Sequence, residues 1–392
     1  MTRRDPVAIV LPWFGPETAG GAEAHARQLA VALRDAGARL EVWTTTARDA
    51  RAPVEPYYPA GDTLDQGILV RRFAATRGEL PRMARRDPDR FGLRRFEVHE
   101  LNLLRSLAGS DALLERLQTE RDSRRWVFFL YAFPLSFFGA EIAGERGYLI
   151  PCLHDEPYAR YGPTRHLLRR VRRVLANSHP EAALMRRLAA LSDRQCPVVG
   201  EGIDLRARGD GKRFRWAHRL AGPLIYFTGR RDHSKNFPLL LAYAQEYWAR
   251  HGFLFKLLAS GPDPLHIPIV LRDRVIDLGF LSTQEKHDAY AAADLFCMPS
   301  TLESYSIVIM EAWLQGTPVL VHGDCAVTVD QCRRSNGGLW FQSYHEFEDA
   351  LHMMLRQPDL AQRLGQQGQA WVRRNCRWED VAQRFIQAVY SE

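Results

Sequence analysis

Two glutamates eight positions apart, Glu303 and Glu311, stand in the segment P-S-T-L-E-S-Y-S-I-V-I-M-E-A-W-L-Q-G, from Pro299 to Gly316. Glu303 falls in a turn after an expected strand, Leu295–Pro299. Glu311 falls about two helical turns further on, past an aromatic and an apolar run. A helix that starts between them presents its first N–H groups to solvent, which suits an anion. Acids do not bind phosphate, but they do accept hydrogen bonds from hydroxyls. Two acids beside an anion site therefore read as a pocket for a nucleotide sugar.

Three further segments carry groups that fit that chemistry. In T-G-R-R-D-H-S-K-N-F, after the expected strand Leu224–Phe227, Arg230 and Lys235 lie five positions apart on a loop that opens a helix. When a nucleotide diphosphate leaves a sugar, negative charge builds on it. Cations fixed there favour the transition state over the ground state. A single loop cation is more often just solvated, and Arg231 leaves open which arginine points inward. In P-C-L-H-D-E-P-Y, His154 follows the expected strand Tyr148–Leu153, at the carboxyl end where open parallel sheets place their sites. Asp155 either orients this histidine or contacts a second substrate. In P-W-F-G-P-E-T-A-G-G-A-E-A-H, Gly20 and Gly21 let the backbone approach a ligand before a helix begins near Ala22. A plain strand-to-helix turn explains the glycines equally well, and His25 reads as a helix residue that orders this loop.

The elements that must position these groups alternate along the chain. Expected strands are Val7–Leu11, Leu40–Thr45, Ile68–Arg72, Val127–Tyr131, Tyr148–Leu153 and Val174–Ala176. A second set follows at Leu224–Thr228, Phe253–Ala259, Val275–Leu278, Leu295–Met298 and Pro318–Val321. Helical patterns fill many of the gaps, as at Ala22–Ala36 and Arg165–Arg172. Alternation of this kind predicts an α/β fold of parallel sheets with helices on both faces, here as two Rossmann-like domains. The glycine-rich stretch Pro197 to Arg213 reads as the boundary. Trp378 to Tyr390 forms an amphipathic helix with Val381, Phe385, Ile386 and Val389 on one face.

Taken in order along the chain, these segments resemble the retaining glycosyltransferases of the GT-B fold, most closely glycosyltransferase family 4. The resemblance rests on E-x7-E at Glu303 and Glu311, G-R-x4-K at Arg230 and Lys235, G-G-x-E-x-H at Gly20 to His25, and the histidine at the end of a first-domain strand. The loop D-L-G-F-L-S-T-Q-E-K adds to it. The resemblance implies two domains with sheets facing across a cleft. Residues 1–200 would bind the acceptor and 204–376 the nucleotide sugar, with 378–392 crossing back to the first domain. It implies that Glu303 binds sugar hydroxyls near the developing positive charge and that Glu311 binds the ribose. Arg230 and Lys235 would hold the diphosphate, together with backbone N–H groups from Tyr305 through Ser306 to Ile307. Gly20 and Gly21 would lie against the diphosphate and the attack site, His154 near the reacting carbon, and Leu281 beside the base. Ser306 departs from the pattern, which has glycine there. Ala259 to Pro262 and Gly200 to Asp204 depart more mildly.

The implied activity is a hexosyltransferase-type reaction. It moves a sugar from a nucleotide-diphosphate donor, a UDP- or GDP-sugar above others, to a saccharide or lipid-linked acceptor in polysaccharide or glycoconjugate assembly. No cofactor is expected, and no metal, because Arg230, Lys235 and helix N-termini supply the charge a cation would bring. Asp87-Pro88-Asp89 imitates a D-x-D metal motif but follows no strand. The other reading is a non-catalytic nucleotide-sugar-binding partner of another transferase.

Bulk properties agree with this frame. A chain of 392 residues is long enough for two cores, and 46% apolar with 25% charged residues is ordinary for a globular protein. The net charge of +7 favours anionic partners. Much of it lies in Arg82 to Arg95 and Arg165 to Arg187, either a solvated face or one that meets an anionic membrane surface. No nucleic-acid motif accompanies the charge. Six scattered cysteines without a C-x-x-C pair suit a reducing compartment, so the expected location is cytoplasmic, with peripheral contact at the inner face of the membrane.

Overall fold

The computed structural model describes residues 5–391 except 19, 263 and 266. The chain divides into two compact units. One runs to Gly202 and takes in the final segment from Trp378; the other is Ile203–Arg377.

The first unit holds a seven-stranded sheet: β1 Val7–Val10, β2 Leu40–Thr45, β3 Gly61–Asp65, β4 Ile68–Phe73, β5 Arg125–Phe129, β6 Gly147–Ile150 and β7 Arg173–Val174. Their order is β3-β4-β2-β1-β5-β6-β7. All pairings are parallel except β3 with β4, a hairpin absent from the sequence reading. Its two-residue turn, Gln66-Gly67, has positive φ at both positions, as a type I′ turn requires. Successive residues of the central strands go to opposite faces. Val7, Ile9, Val127, Phe129 and Tyr148 enter one core; Ala8, Val10, Trp126, Phe128 and Leu149 enter the other. Burial on both faces is why these strands read as unbroken apolar runs.

The final helix, Trp378–Tyr390, belongs to the first core through Val381, Phe385, Ile386 and Val389. Its last carbonyls lack partners within the helix. Arg125 Nη1 and Tyr148 Oη both donate to the Val389 carbonyl at 2.8 Å, and Arg173 Nη1 donates to that of Ala388 at 2.5 Å.

The second unit holds six parallel strands: β8 Leu224–Thr228, β9 Lys256–Ser260, β10 Val275–Gly279, β11 Leu295–Met298, β12 Val319–His322 and β13 Gly338–Phe341. Their order is β10-β9-β8-β11-β12-β13. β13 is an addition to the sequence reading, because only Gly338 and Phe341 of its four residues are buried.

Several expected strands end earlier than anticipated, and the difference matters for the site. Tyr131 lies two residues beyond β5, and Leu153 three beyond β6. Leu130 and Cys152 take positive φ there, turning the chain out of the sheet.

Candidate functional site

In a doubly wound sheet, ligands bind at the carboxyl ends of the strands, where the strand order reverses. In the second unit that point lies between β8 and β11. The turn after β8 carries Arg230 to Lys235, and the turn after β11 carries Glu303 to Ser306.

Lys235 closes a short 3-10 turn, His233–Lys235. Asp232 Oδ1 caps its start by accepting from the Ser234 and Lys235 N–H groups, at 2.9 and 3.3 Å. The Lys235 Nζ then donates to Glu303 Oε1 at 2.6 Å, a charge-assisted bond to a carboxylate only 8% exposed. Glu311 lies in the second turn of the helix Ile307–Leu314. Its Oε1 accepts from Lys286 Nζ at 2.8 Å and its Oε2 from Tyr290 Oη at 3.0 Å. Lys286 and Tyr290 are four apart on the helix Thr283–Ala292 and so share a face. Burial, and then the Glu311 charge, push the Tyr290 phenol well above its ordinary range, so it stays a donor. Each acid of the pair is thus matched by one lysine.

The two adjacent arginines separate cleanly. Arg231 points into the protein, where it pairs with Asp277 and donates from Nη2 to the Gly261 carbonyl at 2.6 Å. It ties the turns after β8 and β9 to strand β10. Gly261 must be glycine here, since its φ is +159° and a Cβ would strike the Gly229 carbonyl oxygen. Arg230 is the exposed one. Leu281 is half-buried against the core just beyond β10.

Tyr305 is buried, with its Oη 3.2 Å from Cys376 Sγ and its carbonyl accepting from Gln331. Ser306 then takes the left-handed conformation, φ 66° and ψ 67°, and the helix begins at Ile307.

In the first unit the order reverses between β1 and β5. After β1 the chain reaches Gly20, at φ 149°, and the helix Gly21–Asp35 starts at once. His25 is fully buried, edge-on to Phe129 at 5.4 Å and tilted against Trp378 at 6.0 Å between ring centres. Its Nδ1 lies 3.4 Å from Glu201 Oε1. Burial lowers its pKa to about 3, so it is a neutral core imidazole. Burial also pushes the Glu23 carboxyl, beside Gly20, up to about 7.

His154 lies four residues beyond β6, half-buried, with Nδ1 3.6 Å from Glu156 Oε1. The sequence leaves Asp155 either to orient it or to contact a second substrate. Asp155 instead pairs with Arg160 and Arg187, and the neighbour of His154 is Glu156. That carboxylate accepts from Tyr131 Oη at 2.7 Å. Burial raises the Glu156 pKa, but hydrogen bonds from His154, Tyr158 and Tyr131 outweigh it and hold it below the ordinary range. Glu181 clamps the loop, with Oε1 and Oε2 accepting the Leu153 and Asn177 backbone N–H groups, both at 2.6 Å. Burial pushes its carboxyl up to about 8 against the pull of those bonds.

Glu156, Tyr131, Lys286 and Tyr290 had no assigned role in the sequence. The i,i+4 spacing of Lys286 and Tyr290, in a helix whose start is fixed by the Ser282/Glu285 capping box, is a signal that could have found two of them. Asp87 and Asp89 are spent locally, on the Arg90 backbone N–H and the Arg94 side chain. Among the described residues no group of three or more His, Cys, Asp or Glu is placed to hold a metal ion, and no helix is long and apolar enough to cross a membrane.

The family model described as "Glycosyl transferases group 1" matches residues 210–371. The D-inositol 3-phosphate glycosyltransferase of Rhodococcus erythropolis is 28% identical over 95% of this chain and 87% of its own. That of Nocardia farcinica is 26% identical over 90% and 80%. Among solved structures, sucrose-phosphate synthase from Thermosynechococcus elongatus superposes with a TM-score of 0.73 at 19% identity, covering 98% of each chain. Anabaena HepE in complex with UDP-glucose gives 0.69 at 16% identity, covering 99% of this chain and 100% of that one. The structural likenesses show the GT-B fold. The family match and the relatives support a glycosyltransferase.

Proposed function

We propose that the protein is a retaining glycosyltransferase of family 4 type that takes a hexosyl group from a nucleotide-diphosphate sugar without a metal ion. The observation that carries this reading is the pair Glu303 and Glu311 at the reversal of the second sheet, each matched by a lysine, beside a helix start. Hydroxyl-binding acids, a fixed cation and free helix N–H groups are what a nucleotide sugar needs. Solved relatives of the fold hold UDP and UDP-glucose, which favours a UDP-sugar as donor.

In this reading Glu311 takes the ribose hydroxyls and Glu303 the sugar hydroxyls, close to the positive charge that grows as the glycosidic bond breaks. Lys235 and Arg230 meet the leaving diphosphate. Tyr305 to Ile307 offer backbone N–H groups, and Leu281 packs beside the base. The acceptor hydroxyl attacks the anomeric carbon on the face the diphosphate leaves, and a phosphate oxygen receives its proton. In the first unit the Gly20–Gly21 turn serves the donor diphosphate and the attack site, and His154, steadied by Glu156, serves the reacting carbon. The acceptor is a saccharide or lipid-linked saccharide, and the exposed arginines of residues 82–95 favour an anionic one. They also suit peripheral contact with an anionic membrane from the cytoplasm.

The test is thermal stability against a panel of nucleoside diphosphates and nucleotide sugars in metal-free buffer. A ligand of the folded state raises Tm by mass action. Selective stabilisation by one base supports the donor site and names the nucleotide; sugar release from the matching nucleotide sugar then supports an enzyme over a binding partner. No shift with any nucleotide counts against the donor site.

A further inference from the structure

We infer that the side-chain hydroxyl of Ser306 is a hydrogen-bond donor to the diphosphate of the nucleotide sugar, beyond what the helix N–H groups provide. The inference rests on the donor-site reading above.

Three features of one residue lead to it. The backbone of Ser306 is left-handed, φ 66° and ψ 67°, a conformation in which a Cβ is crowded by the following carbonyl. Its side chain is almost fully buried, at 7% exposure, and Oγ has no hydrogen-bond partner among the described residues. And it stands at the start of an eight-residue helix without capping it. A serine in this place ordinarily takes an extended conformation and accepts, through Oγ, an N–H from two or three residues on. The left-handed backbone prevents that, so the hydroxyl stays uncommitted, while the Ile309 N–H turns to the Ser306 carbonyl at 3.1 Å.

The neighbours hold the residue in this state. Tyr305, one position before, is anchored at both ends, by Cys376 at its hydroxyl and by Gln331 at its carbonyl. Gln331 is itself buried in the helix Ala326–Ser335. Strain that is over-determined by its surroundings gathers at functional positions. Glycine would remove both the crowding and the orphan hydroxyl, so serine here is costly to the folded chain twice over. A ligand that accepts a hydrogen bond at the helix start offsets both costs. The helix that starts at Ile307 presents partial positive charge here, so the group that meets this hydroxyl is anionic.

Ser306→Gly and Ser306→Ala separate the two parts of the idea, with UDP and GDP as probes in calorimetric titration and thermal melts. The free Ser306→Gly protein should melt roughly 2–4 °C higher than wild type, with Ser306→Ala between them. Affinity for the nucleotide that wild type binds should fall about 5- to 20-fold in both variants, as for loss of a hydrogen bond to a charged group. Wild-type affinity in both variants overturns the role of the hydroxyl and leaves the donor site standing. A fall in Tm together with affinity in both makes the hydroxyl structural and also overturns it. Failure of wild type to bind either nucleotide removes the donor site itself, and the hydroxyl's role with it.

Discussion

The two units reverse their strand order in the same way, yet the turns at the two reversals treat charge oppositely. At β8/β11 the ionisable groups are paired across the site, Lys235 with Glu303 and Lys286 with Glu311. Behind β1/β5 and the neighbouring β6 loop, three of them are buried one by one and driven toward neutrality. His25 falls to about 3, while Glu23 rises to about 7 and Glu181 to about 8. The first arrangement keeps charges available for a charged ligand at the price of two desolvated ion pairs. The second spends its polar groups on shaping loops, and leaves His154 as the half-exposed group at their edge. One architecture therefore serves two ends, set by whether buried ionisable groups have partners.

The largest test of that contrast is Glu303→Gln. Turnover of the nucleotide sugar should fall by about 10²–10³, the loss expected when a transition-state charge loses its stabiliser. Affinity for the nucleoside diphosphate should rise slightly, because Lys235 no longer has a carboxylate to leave. Titration calorimetry and a donor-release assay read the two effects separately; weaker diphosphate binding would contradict the exchange of partners. Next in size is Lys235→Ala, which should weaken diphosphate binding by roughly 10- to 100-fold, as for loss of a charge-assisted bond. Arg231→Ala, beside it in sequence, should instead lower stability, since that guanidinium holds Asp277 and the Gly261 carbonyl. If Arg231→Ala lost binding at full stability, the assignment of inward and outward arginines would be reversed.

The second unit was the more legible of the two. Apolar runs buried on both faces announced its central strands, and Lys235, Glu303 and Glu311 sit in turns whose spacing is local. What the sequence did not carry were partners from distant segments. Lys286 is 25 positions from Glu311 and Lys235 is 68 from Glu303, and nothing local says which side chains will meet. The choice between Arg230 and Arg231 likewise depended on Asp277, a strand away. In the first unit the partner of His154 was hidden for another reason. One residue of register in the loop after β6 decides which carboxylate faces His154, and register in a loop is set by the Glu181 clamp 28 positions on. The hairpin β3–β4 was passed over because its signal, Gln66-Gly67 between short half-exposed strands, lies among charged residues.

Smaller effects are expected in the first unit. Glu181→Gln replaces a carboxyl group whose two oxygens accept backbone N–H groups by an amide with one acceptor oxygen, and should destabilise the unit by about 1–3 kcal/mol. Nucleoside diphosphate affinity should not change, while turnover should drop as the His154 loop loosens. Unchanged turnover in a destabilised variant would mean that the clamp serves the fold and has no bearing on His154.

At neutral pH the smallest effect is carried by His25, which acts only on acidification, and its sign follows from the direction of its shift. The folded pKa, about 3, lies below the ordinary 6.5. Between those values the unfolded chain binds a proton that the folded chain refuses, so stability falls as pH drops through this window. The slope is about 1.4 kcal/mol per pH unit for one proton. Glu23 and Glu181 act in the opposite sense: their raised folded values give stability that is complete below 4.5 and lost as pH rises through about 7 and 8. The two slopes oppose each other between about 4.5 and 6.5, so wild type alone is uninformative there. The difference between wild type and His25→Leu in denaturant unfolding isolates the histidine. It should be constant above pH 6.5 and should shift steadily in favour of the variant below it. A difference that stays flat down to pH 4 would mean that the imidazole takes up a proton in the folded protein, with the Glu201 carboxylate as the acceptor facing the imidazolium, and the first unit would then pair its charges as the second does.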